Sequence, residues 1–237
     1  MIGIIGKIKS SIPKFLIVFA ALALGACTFT SDVDVNAAFN VYSNYENKVQ
    51  GKWAFYADGS RLFDRDVDVL GIACFGHTYP LDARKAFEQS AFRTFENLVE
   101  KIELVNSPIA ANQLSRRGFN GQIVVKSEDM KAEMSVSPGF WSATLKSEVD
   151  ITASVSAFNG LGRLLGSTAS QEGETKTDGA FCSTLTKVLG PAASDSIKRV
   201  LTILAERFTS SRRVRGIKGP TSRLWDSRIK RHIVAQL

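Results

Sequence analysis

The strongest constraint on folding is a strict alternation in the middle of the chain. Leu145, Val149, Ile151, Ala153 and Val155 fall on odd positions, and Lys146, Glu148, Asp150, Thr152 and Ser154 on even ones. Successive side chains of a strand point to opposite faces, so a slip of one residue would turn the whole pattern inside out. The stretch therefore reads as a half-buried strand with one wet face, as antiparallel sheets have. The full segment runs from Trp141 to Phe158, and Gln122 to Val136 repeats the period before it. Ser137-Pro138-Gly139 separates the two as a turn. Asn159-Gly160-Leu161-Gly162 is a hairpin signal. The polar stretch from Arg163 to about Thr175 reads as a third strand, at an edge.

A sheet with one apolar face needs a cover. Asp82 to Val105 supplies the first candidate helix, with Phe87, Ala91, Phe95, Leu98, Ile102 and Val105 at three- and four-residue steps. Asp82 reads as its N-cap, and Ser107-Pro108 as its end. A second helix is predicted from about Cys182 to Thr209, broken or kinked at Gly190-Pro191. Ile197, Val200, Leu201, Leu204 and Phe208 form its apolar stripe. Upstream, Val49 to Ala57 is aromatic-rich and reads as a strand, and Val67 to Phe75 as a second, buried one. The expected fold is α+β, in the order β-β-α-β-β-β-α. Two amphipathic helices pack on one face of an antiparallel or mixed sheet, in one domain over residues 46–211.

The ends of the chain read differently. Lys7, Lys9 and Lys14 precede an apolar run from Phe15 to Ala26. That run has twelve residues, whereas a spanning helix needs about 20. Basic residues, a short apolar run and small residues at its close describe a processing segment. Leu24-Gly25-Ala26-Cys27 resembles the lipobox of bacterial lipoproteins. The resemblance implies cleavage between Ala26 and Cys27, removal of residues 1–26, and acylation of the Cys27 sulfur, with palmitoyl-type chains. Two or three chains make such an anchor permanent, since each buried CH₂ adds about 0.8 kcal/mol. Thr28, where an Asp favours inner-membrane retention in many enterobacterial lipoproteins, points to the outer membrane facing the periplasm. Residues 27–45 are expected to hold the lipidated cysteine and a tether. Residues 212–237 form a basic tail, either frayed or a short amphipathic helix. Its candidate membrane or partner contacts are Arg212, Arg213, Arg215, Trp225, Arg228, Lys230 and Arg231.

Charge follows the same division. The chain carries a net +7, yet residues 27–211 hold 19 basic and 22 acidic side chains. The body is mildly acidic and gives no electrostatic footprint for nucleic acid. With Cys27 lipidated, Cys74 and Cys182 remain as an even pair in an oxidising compartment, which favours a disulfide over two buried thiols. On the chain-entropy view, a bridge closing so long a loop is worth about 4–5 kcal/mol.

The layout also resembles small Gram-negative outer-membrane lipoproteins, including lipopolysaccharide-transport and polysaccharide-export types. They share the lipobox, a βα unit, a long hairpin and a closing helix, here over about residues 45–210. Ala73-Cys74-Phe75-Gly76-His77-Thr78-Tyr79-Pro80-Leu81-Asp82 is similar to a stretch of uncharacterised members. The resemblance implies a non-enzymatic assembly or transport accessory that meets an envelope protein through sheet edges, hairpin tip or tail.

The candidate chemistries are few. Cys74, His77 and Asp82 would make a thiol enzyme only with a free thiolate and an oriented imidazole. Disulfide pairing and helix capping explain Cys74 and Asp82 better. Cys74 and His77 supply two zinc ligands where a structural site takes four, so no metal and no cofactor is expected. Asp64, Asp66 and Asp68 alternate along a strand face without the glycine of a calcium loop, and read as solvated. Asn159 to Arg163 joins strands, whereas a phosphate loop feeds a helix. Trp53, Phe55, Tyr56, Phe140 and Trp141 offer the alternative of a stacking surface for an envelope glycan or lipid, although strand aromatics usually belong to the core.

Overall fold

The structure, a computed structural model, describes residues 29–30, 33–37, 48–64, 66–70, 74, 77–139, 142–179 and 182–216. Its strands are β1 (Phe29–Thr30), β2 (Val49–Asp58), β3 (Phe63–Asp64), β4 (Asp68–Leu70), β5 (His77–Thr78), β6 (Leu81–Asp82), β7 (Val99–Leu104), β8 (Gly121–Pro138), β9 (Ala143–Asn159) and β10 (Gly162–Gly179). Its helices are α1 (Arg84–Glu96), α2 (Ala111–Leu114), α3 (Thr186–Ser210) and α4 (Arg212–Arg215).

The main sheet is mixed, in the order β10-β9-β8-β2-β7, with β4 beside the far half of β8. β8, β9 and β10 form an antiparallel meander, while β2 lies parallel to both β7 and β8. The alternation in the sequence appears directly in β9. Leu145, Ser147, Val149, Ile151, Ala153, Val155 and Ala157 are buried, while the even positions stay half-exposed. β10 closes one side of the sheet as an edge.

Both long helices cover the same face. α1 buries Phe87, Ala91 and Phe95, and α3 buries Ile197, Val200, Leu201, Leu204 and Phe208. They meet where the Phe208 ring stands edge-on to Phe95 at 5.3 Å and to Trp53 of β2 at 5.7 Å. Phe55 of β2 contacts Phe95 at 5.7 Å. α3 also lies very close to β10. A Cβ on Gly173 would come within 2.1 Å of the Ala192 carbonyl oxygen, so only glycine lets helix and strand backbones approach this far.

Four expectations are corrected. The first helix does not reach Val105: it ends at Glu96, and residues 99–104 form β7. The Leu98 amide turns back to the Phe95 carbonyl, and the Leu98 carbonyl accepts from the Val49 amide. The chain thereby enters a parallel ladder on β2 that satisfies its backbone groups without further helix. The main sheet thus contains one strand more than expected, and the two-residue strands β1, β3, β5 and β6 pair outside it. Asp82 is not the N-cap, which is Ala83 without a side-chain bond. Of the expected Val67–Phe75 strand, Asp68–Leu70 forms β4, exposed at both ends and parallel to Glu133–Ser135 of β8; Val67 and Cys74 lie outside it, and residues 71–73 and 75 lie outside the described residues. Gly190-Pro191 does not interrupt α3. The lost backbone bond is offset by burial of Val188, Leu189, Ala192 and Ala193 around it.

The expected tether also behaves otherwise where it is described. β1 pairs in parallel with β5. Val33 and Val35 pack against the core, and Ser194 of α3 donates to the Asn36 carbonyl at 2.9 Å. Residues 33–37 thus run along α3, over Gly190, where a Cβ would lie 2.0 Å from the Asp34 carbonyl oxygen.

Candidate functional site

Cys74 is bonded to Cys182, with 5.3 Å between their Cα atoms. No thiolate is available there. His77 stacks on the Tyr79 ring at 6.1 Å, and the buried Tyr79 hydroxyl donates to the Cys182 carbonyl at 3.0 Å. Burial raises the Tyr79 pKa. Asp82 is clamped by Arg84, whose Nε and Nη2 donate to its two oxygens at 2.8 and 2.6 Å. Those charge-assisted bonds lower the Asp82 pKa. Sulfur, imidazole and carboxylate therefore each have a structural task, and the Cys74/His77 thiol enzyme is overturned by the disulfide.

The aromatic surface dissolves in the same way. Trp53 and Phe55 are wholly buried between sheet and helices. Tyr56 alone of the described members reaches the second face, and Phe140 and Trp141 lie outside the described residues. Asp64 and Asp66 form a local turn, with the Asp66 amide donating to Asp64 Oδ1 at 3.1 Å. Of the tail, Arg212, Arg213 and Arg215 sit exposed on α4, which is fixed to the body by the buried Val214. The body thus continues past Ser211, because Ser211 caps α4. Trp225, Arg228, Lys230 and Arg231, like Ala26 and Cys27, lie outside the described residues.

Pairwise alternation leaves the second sheet face open. Its rows can be read across β8, β9 and β10: Val124 with Ser156 and Gly166, Lys126 with Ser154 and Thr168, Glu133 with Glu148 and Glu174. Toward the β9–β10 turn this face hollows into a groove of about 520 Å³, within the usual range for small-ligand sites. One wall is the loop at Pro108. Behind it, Leu114 and Phe119 pack on Ala54 of β2 and raise the chain above the sheet. The floor is Val124, Ser154, Ser156 and Thr168, with Lys126, Glu128, Phe158 and Arg163 around it. Sequence reasoning missed this groove. The even positions of the strands were legible as wet, but the loop that turns a wet face into a hollow carried no periodic signal.

At the other end of the face, Glu148, Glu172 and Glu174 bring carboxylate oxygens within 4.8 Å of one another. Lys146 pairs with Glu148 and Glu174, and Lys176 with Glu174 at 2.5 Å. The Lys176 hydrogen bond leads in holding the Glu174 pKa low. The cluster is an alternating ion-pair network across strands.

No described helix is long and apolar enough to cross a membrane. No family model matches the chain, and no curated protein does. Among solved structures, it is similar to a Xanthomonas campestris protein described as DUF330, at 10% identity and TM-score 0.39, over 75% of this chain and 92% of that one. It is also similar to a minor lipoprotein of Acinetobacter baumannii, at 10% identity and TM-score 0.30, over 69% and 90%. A third is the PelC dodecamer of Paraburkholderia phytofirmans, at 15% identity and TM-score 0.29, over 70% and 95%. Likeness at this level leaves function to the residues of this chain.

Proposed function

We propose that the chain is a lipid-anchored protein of the bacterial envelope, facing the periplasm from the outer membrane, and that it works without catalysis by presenting its uncovered sheet face to an envelope protein. The observation that carries this reading is the one-sided cover. Both long helices lie on one face, and three strands of 17 and 18 residues leave a broad polar face without helices of their own. One face of the long strands is buried under α3 throughout, so the opposite face and the β10 edge are what the sheet can offer a partner. The lipobox supports the anchor, and the disulfide supports an oxidising compartment.

The test is made in intact cells with the full chain. Cys27→Ser should move the protein from the membrane to the soluble fraction and remove the acyl mass. A photo-crosslinker at Thr152 or Ser170, on the open face, should give one discrete adduct, and one at Lys198, on the outer side of α3, should give none. Retention of Cys27→Ser in the membrane rejects the anchor. Equal adducts from both faces, or none from the open one, reject the docking face.

A further inference from the structure

We infer that the groove beside the β9–β10 turn is a binding site for a negatively charged saccharide, with Arg163 as the receptor of its carboxylate or phosphate. The inference extends the accessory role without depending on it, since a chain released from the membrane should still bind.

The argument begins at Gly166. A Cβ there would lie 1.8 Å from Nη2 of Arg163 and 2.2 Å from its Cζ. The guanidinium therefore occupies the space that a side chain at this floor position would fill. Two hydrogen bonds hold it in place: Nε donates to the Leu165 carbonyl and Nη2 to Ser156 Oγ, each at 3.2 Å. Both acceptors are neutral. Seven ion pairs form among the described residues, and neither Arg163 nor Lys126 belongs to one, although Lys126 stands in register with Asp58 of β2. A cation fixed by neutral groups keeps its charge for a ligand, and its planar fork suits a carboxylate or phosphate. Fixing it beforehand also removes the entropy cost of ordering a long side chain on binding.

The rest of the floor defines what carries the anion. Ser154, Ser156 and Thr168 offer hydroxyls that both donate and accept, the pairing chemistry of sugar hydroxyls. Phe158 gives a half-buried aromatic wall at the Arg163 end. Glu128 stands toward the other end, where its Oε1 accepts from Ser154 Oγ at 2.5 Å. A second negative charge near it would be repelled, while a sugar hydroxyl could donate to it. The groove is thus polar along its length, cationic at Arg163 and Lys126, and acidic at Glu128. That gradient orients a ligand with its anion over Gly166 and its neutral hydroxyls over Ser154. An acyl chain would find Val124 and Phe158 but would bury these charges unpaired.

The experiment is calorimetric titration of the full chain in neutral detergent at low salt. The probes are tetragalacturonate, glucose 6-phosphate and neutral maltotetraose. At least one of the two anions should bind, weakening as salt rises, and maltotetraose should not. The anion that binds more tightly identifies the source as sugar carboxylate or sugar phosphate. Arg163→Gln should weaken that anion about ten-fold or more. Gly166→Val should do the same with every charge retained, because it displaces the guanidinium. Lys131→Gln, on the open face outside the groove, should change nothing. Unaltered melting temperatures in the variants establish that the fold is intact. Binding of maltotetraose as tight as that of either anion overturns the inference. So does equal weakening by Lys131→Gln and Arg163→Gln, or no heat from either anion at millimolar concentration.

Discussion

Phe208→Ala should be the most damaging single change in the apolar core. Phe208 is fully buried, in the last turns of α3, and its ring touches one residue of α1 and one of β2. It ties together the three elements that must dock for the sheet to be covered. Removing a buried phenyl ring costs about 3–5 kcal/mol, cavity included. The two edge-on contacts, at 5.3 and 5.7 Å, place the change at the upper end, since each such contact adds about 0.5–1.5 kcal/mol. We expect close to 5 kcal/mol, equivalent to a melting-point drop of about 10–20 °C for a chain of this size. Phe208→Leu keeps most of the volume but loses the ring contacts, and should cost about 2 kcal/mol. Urea unfolding followed by circular dichroism gives both values, and the emission of buried Trp53 reports whether its surroundings loosen. If Phe208→Ala unfolds within about 1 kcal/mol of the unaltered chain, the end of α3 is not docked on α1 and β2 as described. An Ala cost no larger than the Leu cost would mean that the cavity collapses and the ring contacts carry nothing.

Three further outcomes are expected. Replacing both Cys74 and Cys182 by Ala removes a cross-link over 108 positions and should lower stability by up to about 4.8 kcal/mol on loop entropy; a melting shift near zero refutes that role. Gly173→Ala should destabilise by about 1–3 kcal/mol by prising α3 off β10, whereas Gly160→Ala, where a Cβ meets first only the Ser115 hydroxyl at 3.1 Å, should cost less; the order of the two in thermal melts is the check. Asp58 and Asp82 have pKa values held below the ordinary value of 3.8, Asp58 first by its bonds from Ser60 and Asp82 first by those from Arg84. Their contribution is complete above the unfolded pKa and is lost as pH falls through the folded one, so Asp82→Asn should flatten the acid limb of a stability-versus-pH curve and leave its slope at neutral pH unchanged.

Much of this architecture was legible because burial on one face leaves a periodic trace. The alternation at Leu145 to Val155 placed a strand, its register and its wet side at once. The stripe from Ile197 to Phe208 placed α3 and its buried side. The misreadings have a common physical origin: Leu98, Ile102 and Val105 fit a helical stripe, and only a nonlocal ladder with β2 makes residues 99–104 a strand. Pro191 likewise carries a local breaking signal that tertiary burial overrides. Of the candidate site, the fate of Cys74 followed from counting cysteines. The groove did not, because its shape depends on contacts of Leu114 and Phe119 with Ala54, far upstream in the chain, and no motif marks them.

The strand pairing of Phe29 and Thr30 with His77 and Thr78 has a geometric consequence for the proposed anchor. Phe29 is two residues from Cys27, a reach of about 7 Å at full extension. With Cys27 lipidated, the body is mounted on the bilayer and has almost no slack. The end that carries the Cys74–Cys182 bridge then rests at the headgroups. β9 runs away from that end for 17 residues, roughly 55 Å at strand rise. Its far tip, with Phe158 and Arg163, lies at the opposite end of the sheet from the proposed anchor point.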